Sequence, residues 1–232
     1  MKKIATITLI LTIGLLLNET SFAQKYRKKE VSLISFKLNI NSDYRSKIES
    51  YSSYFNEPNN KKANRVDNQI IYTAWDIIGE KLRNEVGMVI LPLDAYGKKF
   101  TYDDYGFPDM GIAKAINKGQ SKYYLKIDIE LGPEISAKYI TKSHPDSVNQ
   151  IIHLKDDEIK PKLTIYLTIY SDKGIIPVAN CSGEVLAEDV ITLDKNFFDG
   201  IINNTVNPDQ ITLYNLIEKA SKKLIISVYS NK

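Results

Sequence analysis

The chain has 232 residues, 43% of them apolar and 25% charged, with a net charge of +3. These proportions are ordinary for a globular protein and exclude disordered, collagen-like and coiled-coil chains; the charge is too small to imply a nucleic-acid partner. The lone cysteine, Cys181, excludes an internal disulfide and any multi-cysteine metal site.

The first 23 residues read as a secretory signal peptide. Met1-Lys2-Lys3 is a short basic start, Ile4 to Leu17 is an uncharged, mostly apolar run of 14 residues, and Ser21-Phe22-Ala23 offers small residues for cleavage before Gln24. The run is shorter than the ~20 residues a membrane span needs. The expectation is cleavage after Ala23 and a periplasmic or secreted chain with no membrane span. No cysteine stands at the cleavage point, which argues against a lipid anchor there. Residues 24–30 read as a flexible leader and 31–232 as a single domain.

Val31 to Ile40 predicts a first strand, with β-branched and aromatic residues in partial alternation. Residues 41–63 read as a long connection with a short helix near Tyr44 to Tyr51. From Asn64 to Val86, apolar residues recur every four positions (Val66, Ile70, Ala74, Ile78, Leu82, Val86), which predicts a helix capped by Asn64 and ended by Gly87. Trp75 lies on its stripe and is a core candidate. Met88 to Ala95 predicts a buried strand with Pro92 spoiling its second half. An aromatic and acidic loop follows, then a short helix from Asp109 to Lys118. Lys122 to Leu131 and Lys162 to Tyr170 alternate strictly, predicting strands with one apolar and one polar face. Between them lies a long polar excursion. Ser171-Asp172-Lys173-Gly174 predicts a tight hairpin turn with Gly174 at positive φ. Ile175 to Val190 predicts a last strand, bent at Pro177 and Gly183. Asn207-Pro208-Asp209 predicts the start of a final helix with the stripe Ile211, Tyr214, Ile217, Ala220, Leu224 and Val228.

The order β-α-β-α-β-β-β-α predicts an α+β fold: a two-layer sandwich with one mixed, mostly antiparallel sheet of about five strands and three helices on one face.

Three stretches carry a resemblance. They are Leu82 to Val89, Gly111 to Ile129, and Leu163 to Glu184 with its Ser171-Asp172-Lys173-Gly174 turn. Together they resemble envelope accessory domains of three kinds: the LpoB-like activators of penicillin-binding proteins, the CsgG-like curli secretion channels and the amino-terminal domain of TolB. The resemblance implies a non-enzymatic, protein-binding role toward another envelope or secreted protein.

Two surfaces are candidates for such a partner. The first is the 96–109 loop, where Tyr96, Phe100, Tyr102, Tyr105 and Phe107 stand among Asp103, Asp104 and Asp109. Rings give large contact area at low entropic cost. The alternative is that Phe100 and Phe107 close the end of the core and the acids are solvated caps. Asp103 and Asp104 could ligate a hard cation, but the calcium-loop pattern is missing. The second surface is the polar sheet face, with Tyr124, Tyr166 and Tyr170 beside Lys126, Thr164 and Thr168; it reads either as a docking face or as an ordinary solvated one. His144 and His153 have no metal-ligand spacing, Cys181 reads as a buried apolar residue, and no motif implies a cofactor. A secreted hydrolase using acids of the 96–109 loop is the second functional reading.

Overall fold

Local sequence accounts for most of the element boundaries. In the computed structural model, residues 25–133, 139–142, 150–153, 155, 158–203 and 209–230 are described. The signal peptide, its cleavage site, His144 and Asn207-Pro208 lie outside them. In chain order the elements are β1 (Glu30–Ile40), α1 (Ser42–Ser50), α2 (Arg65–Lys81), β2 (Val89–Ile90), α3 (Ile112–Lys118), β3 (Tyr123–Pro133), β4 (Tyr139–Lys142), β5 (Gln150–His153), β6 (Glu158–Ile159), β7 (Pro161–Ser171), β8 (Pro177–Leu186), β9 (Ile191–Thr192), α4 (Asp199–Asn203) and α5 (Leu213–Ser230).

The main sheet has the order β2-β1-β3-β7-β8. β1 runs parallel to β2 and β3, while β7 is antiparallel to both β3 and β8. The β4–β5 and β6–β9 pairs form separate two-stranded sheets. The fold is α+β. The alternating residues Leu125, Ile127, Ile129, Leu163, Ile165, Leu167 and Ile169 all face one core, as their period of two dictates. α2 and α5 cover that face: Trp75 of α2 meets Phe36 of β1 edge-on at 5.4 Å, and Ala220 and Leu224 of α5 pack over β8.

Helix α2 begins where Asn64 accepts hydrogen bonds from the N–H groups of Val66 and Asp67 at 2.9 and 3.2 Å. It continues through a wider π turn, Leu82–Val86, and stops at Gly87 in the left-handed conformation, φ 76°. Helix α5 takes its cap from Thr212, whose Oγ1 accepts from the Asn215 N–H at 3.1 Å. Cys181 is buried in the core.

Four details depart from the sequence expectation. The strand expected at 88–95 is only Val89–Ile90, and Val89 is largely exposed, because the strand is an edge and Pro92 ends its pairing. Helix α3 starts at Ile112 behind Gly111, not at Asp109; Asp109 instead bridges to Ser35 and pairs with Lys37 at 3.1 Å. Gly174 is not at positive φ. Tyr170 pairs with Pro177, so residues 171–176 form a wider connection that has no need of a left-handed residue.

The fourth departure bears on the site. Helix α3 does not join α2 and α5. Its Ala115 packs with Ile34, Phe100, Met110 and Tyr124 in a second apolar cluster. Tyr124 alternates with Leu125 of the main core, so this cluster lies on the opposite face of the sheet. Ile34 faces that side by simple alternation with Leu33, and a bulge in β1 between Leu33 and Ser35 returns Phe36 to the main core beside Leu33. The polar face is thus covered at one end and open at the other.

Candidate functional site

The aromatic loop divides between the main core, which takes Phe107 and Tyr105, and the covered end, which takes Phe100, Tyr96 and Tyr102. Phe107 is fully buried, stacked on Phe36 at 5.0 Å and set edge-on to Trp75 at 5.9 Å. Phe100 is buried against Tyr96, with ring centroids 4.5 Å apart. Tyr124 is buried beneath α3, its hydroxyl close beside Gly119, and Tyr170 packs partly against the same cluster. These positions correct the sequence expectation for three residues: Phe100, Phe107 and Tyr124 cannot offer rings to a partner, because folding removes them from water. The structure does bring the loop and the sheet face together, but as packing.

The remaining loop groups are largely tied down. Tyr96 accepts hydrogen bonds from the buried Ser32 hydroxyl at 3.0 Å and the Gln120 N–H at 3.2 Å, and shares a third with Ser121 at 3.0 Å. Burial works to raise the pKa of this phenol, but the hydrogen bonds outweigh it and the net shift is downward. Asp103 accepts from the N–H groups of Tyr105 and Phe107 at 3.0 and 2.9 Å, closing the turn at Gly106, whose φ is 87°. Burial raises its pKa against the pull of those hydrogen bonds. Tyr105 donates to Asp67 at 3.0 Å, and Arg45 grips the same carboxylate at 3.0 and 3.1 Å. Tyr72 donates to the Tyr105 carbonyl at 2.7 Å. Tyr102 is half-buried; Asp104 is exposed. Among the described residues no group of three or more His, Cys, Asp or Glu could hold a metal ion.

The Tyr105 anchor gives an alkaline prediction. Burial, then the Asp67 charge, raises its phenol from the usual ~10 to about 12. The unfolded chain therefore loses this proton first as pH rises. The contribution is intact below pH ~10 and is lost as pH climbs toward the folded value. Tyr105→Phe is expected to lower the denaturation midpoint at neutral pH and to flatten its fall between pH 10 and 12. An unchanged alkaline slope would show that Tyr105 is not held as described.

The open end is built differently. β3 and β7 present Asp128, Glu130, Thr164, Tyr166 and Thr168, and β8 presents Ser182 and Glu184, through the registers Asp128↔Tyr166 and Tyr166↔Ser182. Tyr166 is 41% exposed, high for an aromatic at the centre of a sheet. Lys126 pairs with Asp128 along β3 at 2.8 Å and Lys162 of β7 pairs with Glu184 of β8 at 2.9 Å, so one same-strand and one cross-strand pair fix charged side chains around the ring. Beyond Tyr166, a groove of about 360 Å³ runs between the ends of β1 and β3 and the start of β7, lined by Asn39, Asn41, Glu130, Lys162, Thr164 and Tyr166, among others. At its floor Gly132 lies under Asn41, where a Cβ would come within 3.1 Å.

Of the ten candidate residues, only Tyr166 combines exposure with a groove. The sequence reading missed Asn39, Asn41, Glu130 and Lys162. Glu130 and Lys162 sat on the predicted polar face, but only the parallel β1–β3 pairing brings Asn39 and Asn41 beside them.

No family model matches the chain, and no curated protein matches it. Among solved structures it is similar to the PelC dodecamer from Paraburkholderia phytofirmans, at 11% identity and a TM-score of 0.32 over 85% of this chain and 89% of that one. It is also similar to a neuraminyllactose-binding hemagglutinin homolog from Helicobacter pylori, at 10% identity and a TM-score of 0.32 over 88% and 83% of the two chains.

Proposed function

We propose that the chain is an exported, non-enzymatic accessory module that binds another cell-envelope or secreted protein through the open end of its sheet. One observation carries the reading: an exposed tyrosine held at the centre of a rigid sheet beside a groove with polar walls. A ring fixed in this way loses little freedom on contact, and such anchors supply a large share of binding energy. Asn39, Asn41 and Glu130 can meet the backbone groups of an extended partner segment along the groove. The amino-terminal signal supports export to the periplasm or beyond, and the resemblance to envelope accessory domains points the same way. Among the described residues no helix is long and apolar enough to cross a membrane.

The hydrolase reading is the weaker of the two. Asp103 holds a turn and Asp109 is paired with Lys37, so two of the loop's three acids have structural partners.

The test compares two tyrosines. Tyr166→Ala is expected to weaken capture of the envelope partner by about tenfold or more with an unchanged melting temperature. Tyr102→Ala is expected to leave capture intact. Loss of capture with Tyr102→Ala alone would return the partner surface to the loop.

A further inference from the structure

A separate feature lies at the end of the sheet where β7 turns into β8. Ile175 and Ile176, adjacent in the chain, are 61% and 79% exposed. Scattered apolar side chains are ordinary on a surface, but two neighbours at the tip of one connection are not. The Asp172 N–H donates to the Lys122 carbonyl at 3.0 Å and fixes this connection to the base of β3.

The sheet register places basic residues around the tip. Val31, Tyr123 and Ser171 are side by side across β1, β3 and β7, so Lys29, Lys122 and Lys173 emerge at the same end. Arg27 and Lys28 belong there too: the Lys28 N–H donates to the Gly87 carbonyl at 2.8 Å, and Arg27 lies against Gly87. All five basic side chains are exposed, and none is in an ion pair with another described residue. The acids in these segments are Glu30 and Asp172. From β1 to β8 this end is about 14 Å wide, three strand spacings.

We propose that this end of the molecule docks on an anionic lipid surface. Ile175 and Ile176 enter the headgroup layer, and Arg27, Lys28, Lys29, Lys122 and Lys173 face the negative headgroups. Protruding apolar side chains suit a fluid layer that closes around them. Four of the five cations are flexible lysine point charges, which fit diffuse headgroup charge better than a geometrically defined partner. The open sheet end with Tyr166 is a different surface, so the two proposals stand or fall separately.

Flotation with vesicles tests the docking, using the protein purified from its expressing cell. It is expected to float with phosphatidylcholine vesicles containing phosphatidylglycerol and not with phosphatidylcholine alone, and added salt should release it. Ile175→Ser/Ile176→Ser is expected to cut binding about tenfold or more, and Lys122→Glu/Lys173→Glu by a similar factor. Both double variants should melt with the parent, because the substituted side chains are exposed. Equal flotation on neutral vesicles, or unchanged flotation of the isoleucine variant, overturns the proposal. So does a parent dimer in sedimentation that the isoleucine variant dissolves, because a second copy would then cover the tip.

Discussion

Gly183→Ala is expected to destabilise the protein by about 3 kcal/mol or more. Gly183 lies opposite Ile165 in the β7–β8 ladder and faces the core. A Cβ there would overlap the Ala220 carbonyl oxygen and the Leu224 amide nitrogen, and would lie 2.9 Å from the Leu224 Cα. All three atoms belong to the backbone of α5, so no side chain can swing aside; the helix must shift away from the sheet. The Ser227 hydroxyl, which accepts from the Ser182 N–H at 3.3 Å on the outer edge of β8, would move with it. Gly174→Ala is the matched comparison: its Cβ meets nothing within 4 Å and its φ is not positive, so little change is expected. Denaturant midpoints of the two variants measure the difference. Equal midpoints would mean that α5 does not lie against β8 as described.

Phe107→Ala is expected to cost about 3–5 kcal/mol, the range for removing a buried aromatic. Its ring touches Phe36 of β1, Trp75 and Tyr72 of α2, and it closes the core under the aromatic loop. The Asp103 turn delivers the ring to that place, so Asp103→Ala should reproduce a smaller part of the loss, about 1–2 kcal/mol. A Phe107→Ala protein with parental stability would mean that the ring is at the surface and that the loop is free to bind.

The sequence made the helices and the alternating strands legible because their signals are local. Asn64 and Gly87 mark the two ends of one continuous helical run, and Leu125, Ile127 and Ile129 share a face by periodicity alone. Coverage was not legible. Alternation tells that Tyr124 and Leu125 point to opposite faces, but not that α3 and the loop will lie over Tyr124. The bulge at Leu33/Ser35, which returns Phe36 to the main core, has no sequence mark. The loop misled for a related reason: a run of tyrosines and phenylalanines among aspartates has the same composition whether its rings reach a partner or the core. Long-range hydrogen bonds, from Tyr105 to Asp67 and from Tyr72 to the Tyr105 carbonyl, decide the matter, and they join residues more than 30 positions apart. Of the open end, Tyr166 was legible as a ring on a polar face. Its neighbours Asn39 and Asn41 reach it only through a parallel pairing that closes over a long crossover.

The proposed partner surface is the open sheet end and not the aromatic loop. Site-specific photo-crosslinking in intact cells tests it most directly, with a photoreactive phenylalanine analogue placed singly at position 166, at 104 on the loop, and at 222 on the outer side of α5. One discrete protein adduct is expected from position 166 and none from 104 or 222. An adduct from 104 with none from 166 would contradict it.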